Sequence, residues 1–362
     1  MPRLRIGKFE TRLPIIQGGM GVQISLSGLA SAVAKEGGIG VIASVGIGQR
    51  DNEVITDYVS AHKQGIIDEL KKAREITDGI IGVNIMVALT DFDQHIEGAV
   101  EGGADIVFMG AGLPRKLPES IGDVNSLHTE FVPIVSSVRA ISIIFKYWAR
   151  KYNYTPPAVV VEGQMAGGHL GFKREQIDHP DYQLENLIPQ VIEAIEPFKQ
   201  SSGKDIAIIA AGGIFSGADI HKYLQSGVQG VQMATRFVAT HECDANIRFK
   251  EAHVNCTKED LMIINSPVCI PGRAIRSPFL EEVEAGNEVP YECPYKCLIT
   301  CDVVNAPYCI ALALLQAKRG NIDEGYAFAG ANAWRTKEIV SVKELMDTLE
   351  REYSEAVDAA GV

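Results

Sequence analysis

The stretch Val159-Val160-Val161-Glu162-Gly163-Gln164-Met165-Ala166-Gly167-Gly168-His169-Leu170-Gly171-Phe172 carries a buried strand straight into a polar, glycine-rich loop. Pro156-Pro157 punctuates the chain before it, and three consecutive β-branched residues then favour an extended, buried segment. A short parallel strand of this kind delivers polar side chains to its carboxyl end, where α/β proteins keep their active sites. Gly167 and Gly168 lack Cβ atoms and allow close approach of the backbone to a flat or phosphorylated ligand. His169 titrates near neutrality when unperturbed, which makes it the natural proton carrier of the loop.

The same pattern recurs along the chain. Apolar runs at Pro14–Gln17, Ile39–Ala43, Ile80–Asn84, Ile106–Met109, Val132–Ser136, Ala158–Glu162, Ile206–Ala210 and Gly230–Met233 read as eight strands. Helical spacing separates most of them: Leu26–Lys35, Glu53–Lys63 and Ile66–Ile76 around Gly65, Phe92–Glu101, Val138–Lys151, Leu184–Phe198 with Pro189 near its first turn, and Ala218–Gln225. Alternating strands and helices predict an α/β fold of the (β/α)8 TIM-barrel type. An open doubly wound sheet is disfavoured, because no early G-x-G-x-x-G turn is present. The barrel is expected to span residues 1–254. Residues 255–362 then form a mostly helical appendage over the barrel mouth, with a Pro/Gly/Arg loop at Pro267–Arg276 and a helix at Ile310–Arg319. Its last helix is capped by Ser341 with Glu344 at the capping-box position.

Composition narrows the function. The 362 residues have a formal net charge of -12 and a sequence pI near 5.2, with no basic stripe, which argues against nucleic acid. No apolar run reaches the ~18 residues of a membrane span, and the basic amino terminus lacks the apolar region of a signal peptide. A cytoplasmic location is therefore expected. Seven cysteines fit reduced thiols or a metal site better than a disulfide framework.

The loops after the seventh and eighth strands are the usual phosphate site of a barrel. Here they are Gly212-Gly213 and Ala234-Thr235, with bare N–H groups, the Thr235 hydroxyl and the positive end of the following helix. Across the mouth, Gly18-Gly19-Met20 and Asn84 offer a bare backbone and a carboxamide to a flat ring. Phosphate at one end and a ring platform at the other point to FMN.

Pro14-Ile15-Ile16-Gln17-Gly18-Gly19-Met20, Gly82-Val83-Asn84-Ile85-Met86, Gly167-Gly168-His169-Leu170-Gly171, Ala211-Gly212-Gly213-Ile214 and Thr235-Arg236-Phe237 together resemble the nitronate monooxygenase family, formerly 2-nitropropane dioxygenases. That family includes FMN-dependent enoyl-acyl-carrier-protein reductases. The resemblance runs from about residue 5 to residue 255 and resumes at Pro271–Arg276 and Ala329–Ala333. It implies that Gly18, Gly19, Met20, Asn84 and Glu162 line the flavin ring and ribityl chain. It also implies that Gly168, Gly212, Gly213, Ala234 and Thr235 hold the phosphate, and that His169 is catalytic. One departure is Ala234, where the family often has glycine before Thr-Arg-Phe.

The leading expectation is an FMN-dependent nitronate monooxygenase that oxidises alkyl nitronates with O2. A reductase using NAD(P)H on an enoyl thioester shares every motif and is the alternative. A flavin- or cluster-based redox sensor is the non-enzyme alternative, and a flavin-free phosphate-binding barrel, such as a metabolic isomerase, is the remaining enzyme reading. Expected partners are small molecules, with no nucleic acid and no membrane, and a homodimer is left open. The other seven histidines read as surface or structural. Cys293, Cys297 and Cys301 recur every fourth residue and Cys309 follows. On a helix starting at Cys293-Pro294 the first three would share a face. They are candidate ligands for Fe–S or zinc, although the spacing matches no familiar motif, and packed reduced thiols are the simpler reading.

Overall fold

The computed structural model describes residues 1–48, 57–287, 289, 291–293 and 296–361. An amino-terminal hairpin, β1 (Leu4–Ile6) and β2 (Phe9–Thr11), precedes β3 (Ile15–Gln17), β4 (Gly40–Ala43), β5 (Ile81–Met86), β6 (Ile106–Gly110), β7 (Glu130–Val135) and β8 (Ala158–Glu162). There follow β9 (Gly168–His169), β10 (Ala207–Ala211), β11 (Gly230–Met233), β12 (Leu261–Asn265) and β13 (Pro271–Ile275). Eight of these form the ring predicted from the apolar runs. Their order is β3-β11-β10-β8-β7-β6-β5-β4, all pairings are parallel, and an Ile16–Ile39 bridge closes the circle. The fold is a (β/α)8 barrel.

Strand alternation sorts the apolar residues into two cores. Ile16, Val41, Phe108, Val132, Val160 and Ile209 fill the interior, while Ile15, Ile42, Val83, Val107, Phe131 and Val161 pack outward against the helices. Leu4 and Ile6 of the hairpin join the interior core, and Leu4 approaches Gly230 at the start of β11, so the hairpin plugs the amino-terminal end. The carboxyl ends of the strands are left open for a site.

The seam between β3 and β4 is held by a side chain. Fully buried Gln17 donates from Nε2 to the Gly18 carbonyl (2.6 Å) and the Val41 carbonyl (3.3 Å), and its Oε1 accepts from the Val41 N–H (2.9 Å). The carboxamide thus replaces ladder bonds that these short strands do not make.

The outer helices follow the predicted spacing, with local differences. The pattern expected as two helices around Gly65 is one helix, Tyr58–Ile76, and residues 53–56 of that expectation lie outside the described residues. Gly65 sits inside it because the backbone of Gly48 leaves no room for a Cβ. Pro189 lies beyond the first turn of helix Leu184–Ser202. The last helix, Val342–Ala359, carries the expected Ser341–Glu344 capping box and returns to the barrel wall. There Glu352 accepts from the Gly217 N–H (2.8 Å) and Glu350 takes Arg12 in a bidentate pair.

Two expectations for residues beyond 255 are corrected. Part of the proposed Pro/Gly/Arg loop is strand β13, which pairs antiparallel with β12 and with β9, so Gly168–His169 is a strand edge rather than free loop. The region 285–309 contains no helix among its described residues, so the cysteines are not displayed on one helical face. Pro294, the expected helix start, lies outside the described residues. No helix among the described residues is long and apolar enough to cross a membrane.

Replacing Gln17 by Leu keeps the volume but strands the Val41 N–H and the Gly18 carbonyl. The expected loss is about 2–4 kcal/mol in chemical denaturation, and an unchanged midpoint would show that the seam closes without the carboxamide.

Candidate active site

Alternation that buries Val160 and Ile209 inside the ring also aims the last inward residues at the mouth. Asn84 and Met86 on β5, Glu162 on β8 and Gln232 on β11 all line one cavity there. Glu162, Ala211 and Gln232 are direct neighbours in register. Gly18, Gly19 and Met20 leave β3 along the same rim. A Cβ on Gly19 would collide with the Asn84 side chain, and one on Gly18 would press on Gln232 and Ala234. Bare backbone and carboxamide therefore occupy one another's space.

The cavity gathers Gly18, Gly19, Met20, Asn84, Glu162, Gly168, His169, Ala234 and Thr235. A second cavity shares Glu162, Gln232, Ala234 and Thr235 with it and adds Gly212 and Gly213. The structure thus brings together every residue predicted for the flavin site. Gly212 and Gly213 adopt left-handed conformations (φ +94° and +85°), open to glycine. Among the described residues, no acceptor is seen for the N–H groups of Gly213, Ala234 and Thr235. This is the donor set an oxyanion needs.

The helix expected to aim its positive end here, Gly217–Gln225, is already capped. Asp219 accepts from the Phe215 and Ser216 N–H groups, and Glu352 accepts from Gly217. The loop amides are the free donors instead. Arg236 neither enters the cavity nor faces solvent freely. It donates to the Phe215 carbonyl (2.8 Å) and lies over the Phe215 ring, 4.6 Å from its centroid, and Arg335 also lies over that ring, at 4.5 Å.

His169 stands between the first cavity and a third, apolar one lined by Leu113, Ile134, Leu170, Phe172, Val268 and Ile270. Its Nε2 is 2.8 Å from Ser266 Oγ, and its ring meets Phe328 edge-on at 5.1 Å. The Val268 N–H donates to Ser266 Oγ (3.4 Å). The Ser266 hydroxyl and His169 Nε2 thus share one hydrogen bond in either tautomer, which orients the ring. Desolvation pushes His169 down to about 4, so the imidazole is neutral at physiological pH.

Glu162 lines all three cavities, and its carboxyl group has no hydrogen-bond partner among the described residues. Desolvation pushes it up to about 7.

The residue pattern on this mouth meets its match among known proteins over residues 3–352, the span aligned to nitronate monooxygenase. The chain belongs to the nitronate monooxygenase family. It is 24% identical over 274 residues to a (3aS,4S,5R,7aS)-5-hydroxy-7a-methyl-1-oxo-octahydro-1H-indene-4-carboxyl-CoA dehydrogenase of Mycobacterium tuberculosis, covering 76% of this chain but only 66% of that relative. It is also 24% identical to a probable nitronate monooxygenase of Staphylococcus aureus, over 75% of this chain and 77% of the relative. The structure of FabK from Thermotoga maritima superposes with a TM-score of 0.73 at 25% identity, covering 97% of this chain and 95% of that one. The expected family and barrel agree with this membership.

Several residues of this nitronate monooxygenase family member escaped the sequence reading. Gln232 was legible as a polar residue at an inward position of a barrel strand. Buried Arg273 was not: it crosses from β13 to donate to the carbonyls of Gln164 (2.8 Å) and Ala166 (2.6 Å), fixing the loop before His169. Phe328, Ala329 and Gly330 come from the carboxyl-terminal third. The Gly330 N–H donates to Thr235 Oγ1 (2.9 Å), and a Cβ on Gly167 would strike the Ala329–Gly330 peptide. Elsewhere, buried Asp91 collects His62 (2.8 Å) and His95 (3.2 Å), so these two histidines are interior.

The folded-state pKa of Glu162 lies above its ordinary value, so its stabilising contribution is full below about pH 4.5 and is lost as pH rises through about 7. Glu162→Gln should therefore melt roughly 2–4 °C above the parent at about pH 8.5, with the difference vanishing near pH 4. Equal melting temperatures at the higher pH would mean that the carboxylate is solvated.

Proposed function

We propose that this chain is an FMN-dependent nitronate monooxygenase that oxidises alkyl nitronates with O2. The observation that carries the reading is the place of His169, at the junction between a polar, glycine-floored cavity and an apolar one. The residues present fit FMN. Gly18, Gly19, Met20, Asn84 and Glu162 would line its ring and ribityl chain, and Gly168, Gly212, Gly213, Ala234 and Thr235 would hold the phosphate on the free amides described above. Bound there, FMN supplies the redox chemistry that no side chain of the site provides.

The chain's own residues do the rest. The apolar cavity receives the alkyl group and excludes water from it. Neutral His169, oriented by Ser266, presents a donor to the negative nitronate oxygens. With an un-ionised nitroalkane, the other tautomer serves: Nε2–H donates to Ser266 Oγ, and Nδ1 takes the α-proton. A cytoplasmic location and small-molecule substrates accompany this reading.

One observation favours a second reading. The apolar cavity, about 580 Å³, exceeds what a short nitronate fills. An enoyl thioester reduced at the expense of NAD(P)H would use that room, and the Mycobacterium tuberculosis relative is named for a carboxyl-CoA substrate. Anaerobic mixing of the flavoprotein with a nitronate and, separately, with NADH decides between the two. The nitronate should bleach the flavin, and bleaching by NADH alone would reverse the assignment.

Two variants test the residue roles. Thr235→Glu sets a carboxylate against the proposed phosphate, and the purified variant should be nearly colourless; full flavin content would relocate the phosphate. His169→Asn should slow turnover of neutral nitroalkane by about 10²–10⁴-fold and that of the pre-formed nitronate far less. Near-wild-type rates in every half-reaction would assign His169 to structure.

A further inference from the structure

His62, Asp91 and His95 take no part in the proposed chemistry, and all three are buried. Two neighbouring outer helices bring them together. His62 stands in the second turn of helix Tyr58–Ile76. Asp91 is the N-cap residue of helix Phe92–Glu101, and His95 follows one turn later. One nitrogen of each ring and one Asp91 oxygen lie within 4.8 Å of one another. Among the described residues, no other group of three His, Cys, Asp or Glu side chains comes so close.

The spacing suits a small cation. Asp91 Oδ2 is 2.8 Å from His62 Nδ1 and 3.2 Å from His95 Nε2. A tetrahedral ion with nitrogen and oxygen bonds of roughly 2.0–2.1 Å holds its ligand atoms roughly 3.3 Å apart. The shorter separation needs to open by only about half an ångström to reach that value.

Hydrogen bonds alone leave the cluster unfinished. Among the described residues, His62 Nε2, Asp91 Oδ1 and His95 Nε2 are buried without a hydrogen-bond partner. The approach of His95 Nε2 to Asp91 Oδ2 is therefore out of line for such a bond. Asp91 also forgoes the usual task of an aspartate at its position, since its side chain accepts from no N–H of the helix it caps. No lysine or arginine among the described residues pairs with it. A buried carboxylate and unpaired imidazole nitrogens are costly, and a cation between them supplies the missing partner.

An outer contact is also in place. His95 Nδ1 lies 2.8 Å from Oγ of buried Ser44, the kind of bond that orients a ligating ring through its other nitrogen. Ser44 follows β4 directly, and its N–H donates to the Asn84 carbonyl (3.0 Å). Its neighbours Ala43 and Val45 line the first cavity. Magnesium and calcium take shells of oxygen, whereas imidazole suits zinc and its first-row neighbours. Three protein ligands with a fourth position for water is a coordination that zinc accepts.

We propose that His62, Asp91 and His95 bind one zinc ion behind the wall of the barrel mouth. Bound there, the ion ties helix Tyr58–Ile76 to helix Phe92–Glu101 and, through Ser44, to the strand ends beside Asn84.

The test uses full-length, untagged protein, stripped with a chelator and titrated with Zn2+ alone. About one zinc per chain is expected, and the melting temperature should rise by roughly 5 °C once free zinc reaches about 100 times Kd. Co2+ in its place should give visible ligand-field bands without the strong near-ultraviolet absorption of a cobalt–thiolate bond, which separates this site from the cysteines. Ser44→Ala should weaken zinc binding roughly 10–100-fold, and Asp91→Asn or His62→Gln by more than about 100-fold. His179→Gln, at an exposed histidine, should leave it unchanged. Circular dichroism separates loss of a ligand from loss of fold, and the parent chain's own stoichiometry and melting shift decide should the variants misfold. No zinc bound with an unchanged melting temperature, a cobalt spectrum of thiolate type, or full zinc binding by folded Asp91→Asn would each overturn the proposal.

Discussion

The barrel depends on a seam that its own strands are too short to close. β3 has three residues and touches β4 through a single bridge. The Gln17 carboxamide, excluded from water, supplies the missing donor and acceptor. In a low-dielectric interior the bonds are strong and their absence costly. The same side chain holds the Gly18 carbonyl, so the closing device and the start of the ring platform are one unit. Short strands leave room at the mouth, and the carboxamide makes that room affordable in stability.

The mouth is not finished by the barrel alone. β13 pairs with β9, and Arg273 of β13 reaches back to the carbonyls of residues 164 and 166. Those carbonyls point into protein and would otherwise lack donors. Ala329 and Gly330 then press on Gly167, while Gly330 binds Thr235. Residues from the carboxyl-terminal third therefore set the position of His169 and complete the wall of the cavity floored by Gly212 and Gly213. Thr235 is held through its oxygen, which leaves its own N–H and hydroxyl hydrogen for a ligand. The Ala234 methyl that departs from the family pattern lies against the Gly18 position without blocking those donors.

The strands were legible because each is a short apolar run ending in small or polar residues, and alternation then determines which side chains face the mouth. Asn84, Glu162 and the glycine pairs followed from that logic. Arg273 and Ser266 did not, because their roles come from tertiary pairing of β9 with a sheet more than ninety residues later. Nothing local in Pro267–Arg276 marks a strand: proline and glycine weaken that reading, and its partner on the barrel side, β9, is only two residues long. The cysteines failed as a helix for a related reason. A four-residue repeat is compatible with a helix, but packing of Leu298 on Leu89 extends the chain there.

The electrostatics of the mouth follow from one cause acting on two groups of opposite sign. Desolvation penalises whichever form carries charge, so it lowers His169 and raises Glu162. Neither residue has an oppositely charged partner to reverse the effect. The site therefore holds a neutral imidazole, and a carboxyl group close to its midpoint at neutral pH. A substrate anion reaching His169 and Glu162 meets no positive charge from either of them, and the lysine of the adjoining cavity, Lys173, points its charge largely to solvent. In the proposed reading its donor is the imidazole oriented by Ser266, while the glycine-loop amides serve the phosphate end. An oxidation that removes the negative charge of a nitronate is favoured by a pocket that solvates that charge only partly. A site with a permanent cation would stabilise the substrate more than the uncharged product and slow the same step.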